Sequence, residues 1–289
     1  MYSLREKVCC SPERTNLMLL PDEIVDLESV APHPNLLVFA NSGAGKSVFA
    51  GSDDNILFLN CEAEGTLSTK RSKTLGRNVK QWNIRTWDDW VKATDWIKDA
   101  IDKCVKDGTE FPFKWVVVDT LTTLQNRILM RWLMDRAVER KSDRDPNVPD
   151  KAEYLKNQLM LQRAIKELND LPVCMLYLAH VMQKTDTEGE EFLFPAVQGK
   201  GYEVAQAVLA MMTSYGYMFV ETRTKDGKVV VSRETRKPLR DRIIQWEDTG
   251  KMQGKDRTGV LGEKTRNVTL RQIRERMAEA DKKATNNEM

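Results

Sequence analysis

Ala40-Asn41-Ser42-Gly43-Ala44-Gly45-Lys46-Ser47 is the densest concentration of chemistry in the chain. Glycines at this spacing let successive backbone N–H groups turn inward and surround a phosphate, and a helix starting behind them adds its dipole. Lys46 would contact the β- and γ-phosphates of a nucleotide, and the Ser47 hydroxyl would ligate Mg²⁺. The nucleotide-binding set is therefore Asn41, Ser42, Gly43, Ala44, Gly45, Lys46, Ser47 and Val48. The phosphate-loop pattern is met everywhere except its first glycine, where Ala40 stands. Alanine fits that position if its backbone keeps a negative φ.

Such a loop needs a second, metal-side carboxylate, and Asp119 at the end of the apolar run WVVVD is the natural one. A strand ending there lies on the carboxyl edge of a parallel sheet, where ligands bind. The alternative for Asp119 is a helix N-cap. Two other runs end in polar residues: LFLNCEAEG carries Glu62 and Glu64, and LYLAH ends in His180.

The elements that must position these groups are legible as alternating runs. NLLVFA (35–40), NILFLN (55–60), WVVVD (115–119) and PVCMLYLA (172–179) are short and apolar throughout, as buried parallel strands are. Between them, residues 86–105 place Trp87, Trp90, Val91, Ile97, Ile101 and Cys104 at helical spacing, closed by Asp107-Gly108. Helical patterns recur around Ile128–Leu133 and over residues 151–170, separated by the polar, proline-punctuated segment 141–150. Alternation of this kind predicts an α/β domain with a mostly parallel sheet. After residue 210, YGYMFVETRTKDGKVVVSRE predicts a β-hairpin turning at Asp226-Gly227, and RIIQW (242–246) a further strand. Residues 1–33 form a lead-in of mixed charge, and 263–289 a charged, solvated helix fraying into a tail.

Composition narrows the field. The 289 residues are 41% hydrophobic and 30% charged, an ordinary globular balance. Lys plus Arg number 45 against 43 acidic residues, which excludes a protein held on nucleic acid by bulk charge alone. Cys9, Cys10, Cys61, Cys104 and Cys174 form no CxxC pair, so reduced thiols are expected rather than a zinc site. The longest apolar run, Leu171 to Val181, is interrupted by His180 and far short of the roughly 20 residues of a membrane span. The expectation is a cytoplasmic protein with no membrane attachment.

The order and spacing of these motifs over about residues 34–262 resemble the RecA-like P-loop ATPases. With DTLTTL after the metal-side aspartate and KDRTG near the end of the core, the chain looks most like the phage-encoded members associated with single-strand annealing recombination. The resemblance implies a RecA-like core and a C-terminal β-hairpin extension, with ATP and Mg²⁺ as ligands. It places the catalytic glutamate at Glu62, with Glu64 as rival, and a γ-phosphate sensor at His180. It also makes Lys255 and Arg257, in Gly254-Lys255-Asp256-Arg257-Thr258-Gly259, a Lys-x-Arg finger reaching into a neighbouring subunit's site. A homo-oligomer, ring or filament, follows, in the host cytoplasm if the chain is phage-encoded. Single-stranded DNA and phage recombination or single-strand-binding proteins would be its partners.

The DNA surface is less distinct. Residues 65–86 hold Lys70, Arg71, Lys73, Arg77, Lys80 and Arg85 without an acidic residue, a pattern that a plain solvated face also shows. By the resemblance, segments 141–152 and 182–200 would line a DNA groove. The second contains Asp186, Glu188, Glu190 and Glu191, which repel phosphates, together with Phe192 and Phe194, which could stack on bases or pack on the core. Competing readings are a small-molecule P-loop kinase and a nucleotide-switched assembly protein with negligible turnover.

Overall fold

A computed structural model of the chain describes residues 33–62, 67–140, 145–185, 189–199 and 203–286. The lead-in, Glu64 and the acidic residues 186 and 188 lie outside them. β1 (Asn35–Ala40) enters the loop and helix α1 (Lys46–Ala50). β2 (Ile56–Asn60), α2 (Leu67–Lys70), β3 (Val79–Asn83), α3 (Trp87–Asp107), β4 (Trp115–Asp119) and α4 (Leu121–Thr123) follow. A π-helical segment, Leu124–Leu129, joins α4 to α5 (Met130–Arg140). Then come α6 (Lys151–Asn169), β5 (Cys174–Thr185), β6 (Glu191–Pro195), α7 (Glu203–Ala210) and β7 (Ser214–Thr222). The chain closes with β8 (Thr224–Lys225), β9 (Lys228–Val229), β10 (Arg240–Gln245), β11 (Lys255–Asp256), β12 (Lys264–Arg266) and α8 (Leu270–Asn286).

The main sheet runs β12-β10-β7-β1-β5-β4-β2-β3. From β7 to β3 every pairing along this path is parallel, whereas β10 and β12 add antiparallel strands at one edge. Mostly parallel, flanked by helices, this is the expected α/β P-loop NTPase core. Side chains alternate along β1: Leu36 and Val38 pack with Phe49 and Trp115 on the face of α1 and α8, Leu37 and Phe39 with Trp87, Trp90, Leu161 and Ile165 on the other. Both faces are covered, which is why the strands read as unbroken apolar runs.

Local signals set the helix starts. The Thr86 hydroxyl accepts from the Asp89 N–H at 3.1 Å, and the Asp89 carboxylate accepts from the Thr86 N–H at 2.9 Å. This reciprocal cap contributes about 1 kcal/mol and fixes the first turn of α3. Asp150 and Glu153 do the same for α6.

Three features depart from the sequence reading. β7, read as the first arm of a hairpin, is a core strand parallel to β1; the hairpin is only β8–β9, with Asp226 and Gly227 both at positive φ. Segment 182–200 is largely not a loop: β5 continues to Thr185 and pairs antiparallel with β6. Phe194 is buried there and stacks on Phe192, which settles it as a packing residue. The C-terminal helix is not simply solvated. Leu270, Ile273 and Met277 form a narrow apolar stripe that docks on the sheet.

Behind that stripe sits a buried ion pair. Asp53 is fully buried, and its carboxylate accepts from Arg274 Nε at 2.6 Å and Trp115 Nε1 at 3.1 Å. Burial alone would raise its pKa; Arg274, the Asp54 N–H and Trp115 bring it below the ordinary value. Arg271 reaches Asp54 at 2.7 Å, and the Leu270 N–H donates to Ser52 Oγ at 2.8 Å. These contacts tie α8 to the turn that follows α1. Arg274→Ala leaves the buried Asp53 carboxylate with only the longer 3.5 Å contact to Arg271 as its ion pair and should cost about 3 kcal/mol in urea denaturation. Arg77→Ala, breaking an ion pair whose arginine is 90% exposed, should cost about 0.5 kcal/mol or less.

Candidate nucleotide site

Parallel register brings the chemistry to one edge. Ala40 at the end of β1 pairs with His180 on β5, and Asp119 at the end of β4 pairs with Asn60 on β2, two residues before Glu62. Ala40 completes β1 outside the left-handed region, so the missing first glycine demands no strain. The loop then turns through Gly43 at φ 78° and Gly45 at φ 98°. Because α1 has only five residues, the cradle rests on the loop's own N–H groups rather than on a long helix dipole.

Lys46 is 7% exposed and folds back on the loop. Its Nζ donates to the Ala40 carbonyl at 3.0 Å and the Asn41 carbonyl at 3.2 Å. Burial lowers its pKa while Asp119 and Glu62 pull it back up. The lysine thus waits among carbonyls that phosphate oxygens can replace.

Asp119 is 1% exposed, and its Oδ2 has no hydrogen-bond partner. Its carboxylate takes a hydrogen bond from Ser47, but burial dominates and pushes its pKa up to about 6. The helix that follows is capped by Thr120, whose hydroxyl accepts from the Thr123 N–H, so capping does not occupy Asp119. An orphaned carboxylate oxygen beside a serine hydroxyl suits a hard cation with oxygen ligands, and Mg²⁺ fits. Among the described residues no cluster of three His, Cys, Asp or Glu side chains could hold a metal. Water and phosphate must complete the shell, as Mg²⁺ prefers.

Glu62 is arranged differently. Its Oε1 meets Thr120 Oγ1 at 3.0 Å, Thr123 Oγ1 at 3.3 Å and His180 Nε2 at 2.9 Å. His180 is the largest influence, and together these contacts hold the Glu62 pKa down at about 2. Among the described residues Oε2 makes no hydrogen bond, so one oxygen anchors and the other is presented.

A cavity of about 1100 Å³ joins these groups, running from Ser42 past Lys46, Asp119, Glu62 and His180 to Gln81 and Arg85 on the β3 side. Sequence reading had not placed Thr120, Thr123 or Arg242 here. The two threonines sit in the DTLTTL run and could have been noticed; Arg242 becomes visible only once β10 pairs with β7. Lys255 and Arg257 are not brought to this cavity. β11 pairs with Tyr215 and Ser214, level with Leu37 and Leu36 at the amino end of β1.

A phosphate nest with its lysine, a serine beside a buried carboxylate and a parallel sheet behind them define a P-loop nucleoside-triphosphate site. A family model described as an AAA domain matches residues 33–258, and the chain belongs to that family of P-loop ATPases. No curated protein matches the chain. No described helix is long and apolar enough to cross a membrane.

The raised pKa of Asp119 has a thermodynamic consequence. Folding disfavours its charged form, so ionised Asp119 destabilises the metal-free protein fully above about pH 6 and not at all below its unfolded value, 3.8. Asp119→Asn in chelator at pH 8 should therefore be more stable than wild type by about 1 to 3 kcal/mol. That advantage should shrink to nothing by pH 4, as denaturant titrations at both pH values will register.

Proposed function

We propose that the protein hydrolyses ATP with Mg²⁺ and works as a RecA-like oligomer on single-stranded DNA, in phage recombination, annealing or repair. The hydrolytic part rests on Glu62: Oε1 is clamped by three donors, and Oε2 makes no hydrogen bond among the described residues, two residues past the strand next to that of Asp119. The metal, held by Ser47 and Asp119, would share out the charge of the terminal phosphates. Lys46 exchanges the Ala40 and Asn41 carbonyls for phosphate oxygens. Glu62 Oε2 orients the attacking water. A carboxylate with a pKa of about 2 is a weak proton acceptor, so its contribution is position and charge. The same feature favours slow turnover and gives weight to a second reading, a nucleotide-switched assembly protein.

The position of Lys255 and Arg257 supports a shared site. They lie three to four residues down the sheet from the level of Ala40, on the order of 10 Å, and their loop is rigid. Asp256 between them is held by Ser214 Oγ at 2.7 Å and the Leu261 N–H at 2.9 Å. A finger on one edge and a cradle on the other call for a head-to-tail contact, which closes as a ring or extends as a filament. Lys70, Arg71, Lys73 and Lys80 are exposed and form no ion pair among the described residues, which supports a role in holding a DNA backbone.

ATP hydrolysis measured with and without single-stranded DNA, across protein concentrations, tests the whole reading. Specific activity should rise with concentration as interfaces fill, and DNA should stimulate it. Glu62→Gln should keep nucleotide binding and slow hydrolysis by about 10²- to 10⁴-fold. Hydrolysis unaffected by that change would remove Glu62 from the mechanism.

Mixing two inactive variants tests the shared site. Glu62→Gln and Arg257→Ala together should recover activity, because some interfaces draw both wild-type residues from different parents. No recovery in demonstrably mixed oligomers would confine the chemistry to one subunit.

A further inference from the structure

Arg242 stands where the cavity meets the far side of the phosphate loop. Its backbone is fixed by Asn267, which receives the Arg242 N–H at 2.8 Å and returns its own N–H to the Arg242 carbonyl at 2.7 Å. Along β10 the neighbouring Asp241 is spent on Arg223, Arg266 and Asn267, whereas Arg242 projects to the opposite face. There its Nε donates to the Ala44 carbonyl at 3.1 Å. The guanidinium lies so close to the loop that a Cβ at Gly45 would fall 2.5 Å from Nε. Gly45 is required by its φ of 98°, and a side chain there would also push the guanidinium aside.

Among the described residues Nη1 and Nη2 of Arg242 make no hydrogen bond and no carboxylate pairs with it. Burial lowers its pKa, and no opposing charge restores it. A half-buried cation that cannot lose its proton and has no counter-ion is costly unless an anion comes to it.

The sheet order says which part of the nucleotide that would be. Asp119, His180 and Glu62 stand on β4, β5 and after β2, to one side of β1; Arg242 stands on β10, to the other. Lys46 feels the carboxylates, so the terminal phosphates belong on their side. The cavity also continues past the carboxylates to Arg85 and Arg127, but its part on the other side of β1 is bounded by Arg242, which leaves that end for the α-phosphate and nucleoside.

We infer that Arg242 is a nucleotide-binding residue that grips the nucleoside end of the ligand through its α-phosphate, independently of the γ-phosphate. This rests on the nucleotide site proposed above.

The test compares two probes on the full chain with Mg²⁺: ADP by calorimetry, and inorganic phosphate, which occupies the loop alone, by phosphorus NMR titration. Arg242→Gln should weaken ADP about 10- to 100-fold, the weight of a charge-assisted hydrogen bond, and leave inorganic phosphate within about threefold. Arg242→Lys should retain part of the ADP affinity. Unchanged melting temperatures guard against misfolding, and ATP should lose as much as ADP. Equal losses for ADP and inorganic phosphate would overturn the inference, showing that the arginine only shapes the loop through Ala44. Loss for ATP but not ADP, or for neither, would overturn it as well. Wild type that binds neither probe would instead bring down the nucleotide site itself, and this inference with it.

Discussion

Asp119 holds a buried carboxylate oxygen with no donor among the described residues, and the surrounding elements maintain that imbalance instead of relieving it. β1, β4, β2 and β3 end within two residues of one level while β5 runs on to Thr185, so the carboxylate is closed in by backbone from β5 and β2. Lys46, the nearby cation, is turned to the carbonyls of its own loop. Thr120 and Thr123, the nearest hydroxyls after it, are directed to Glu62. A buried charge left short in this way is a standing cost to the fold. It is removed when a cation arrives, which makes metal binding and local stability one equilibrium.

The contrast with Asp53 shows that burial alone does not produce this state. Both aspartates are buried to within 1% exposure, yet the pKa of one is lowered and that of the other raised. Asp53 has an arginine, an indole N–H and a backbone N–H, and its charge is a permanent part of the packing. It lies in the turn after α1, so α8 braces the phosphate loop from behind through Arg274 and Ser52. One buried carboxylate is a structural tie and the other a vacancy for chemistry, and what separates them is the supply of donors.

How much of this was legible depended on where each element lies. Strands covered on both faces announced themselves, because burial leaves only apolar residues to read. β3, VKQWN at the sheet's edge, and β6, EFLFP on an arm, carry polar residues on their open sides and gave no such signal. α8 was misread because its 17 residues show one apolar stripe among many charges, and only the docked sheet says which face counts. In the site, the loop, Asp119, Glu62 and His180 could be found because each follows directly on an apolar run. Arg242 could not, since its place depends on the antiparallel register of β10 with β7, about 200 residues from the loop it touches.

Charge arithmetic across the cavity decides how a nucleotide can enter. On the β4–β2 side of the cavity the carboxylates Asp119 and Glu62 face Lys46, with Arg127 and Arg85 further along the same wall; on the β10 side Arg242 has no carboxylate partner among the described residues. A polyphosphate placed without a metal would bring its terminal phosphates close to two carboxylates while its other end met Arg242. A divalent cation held by Asp119 and Ser47 would offset those carboxylates, and Lys46 would then exchange its loop carbonyls for phosphate. Glu62 stays ionised throughout, since His180 and the two threonines keep its proton affinity low. It therefore adds to the demand for the metal while holding Oε2 ready beyond it. At the carboxylate end a cation and a nucleotide would therefore favour each other's binding.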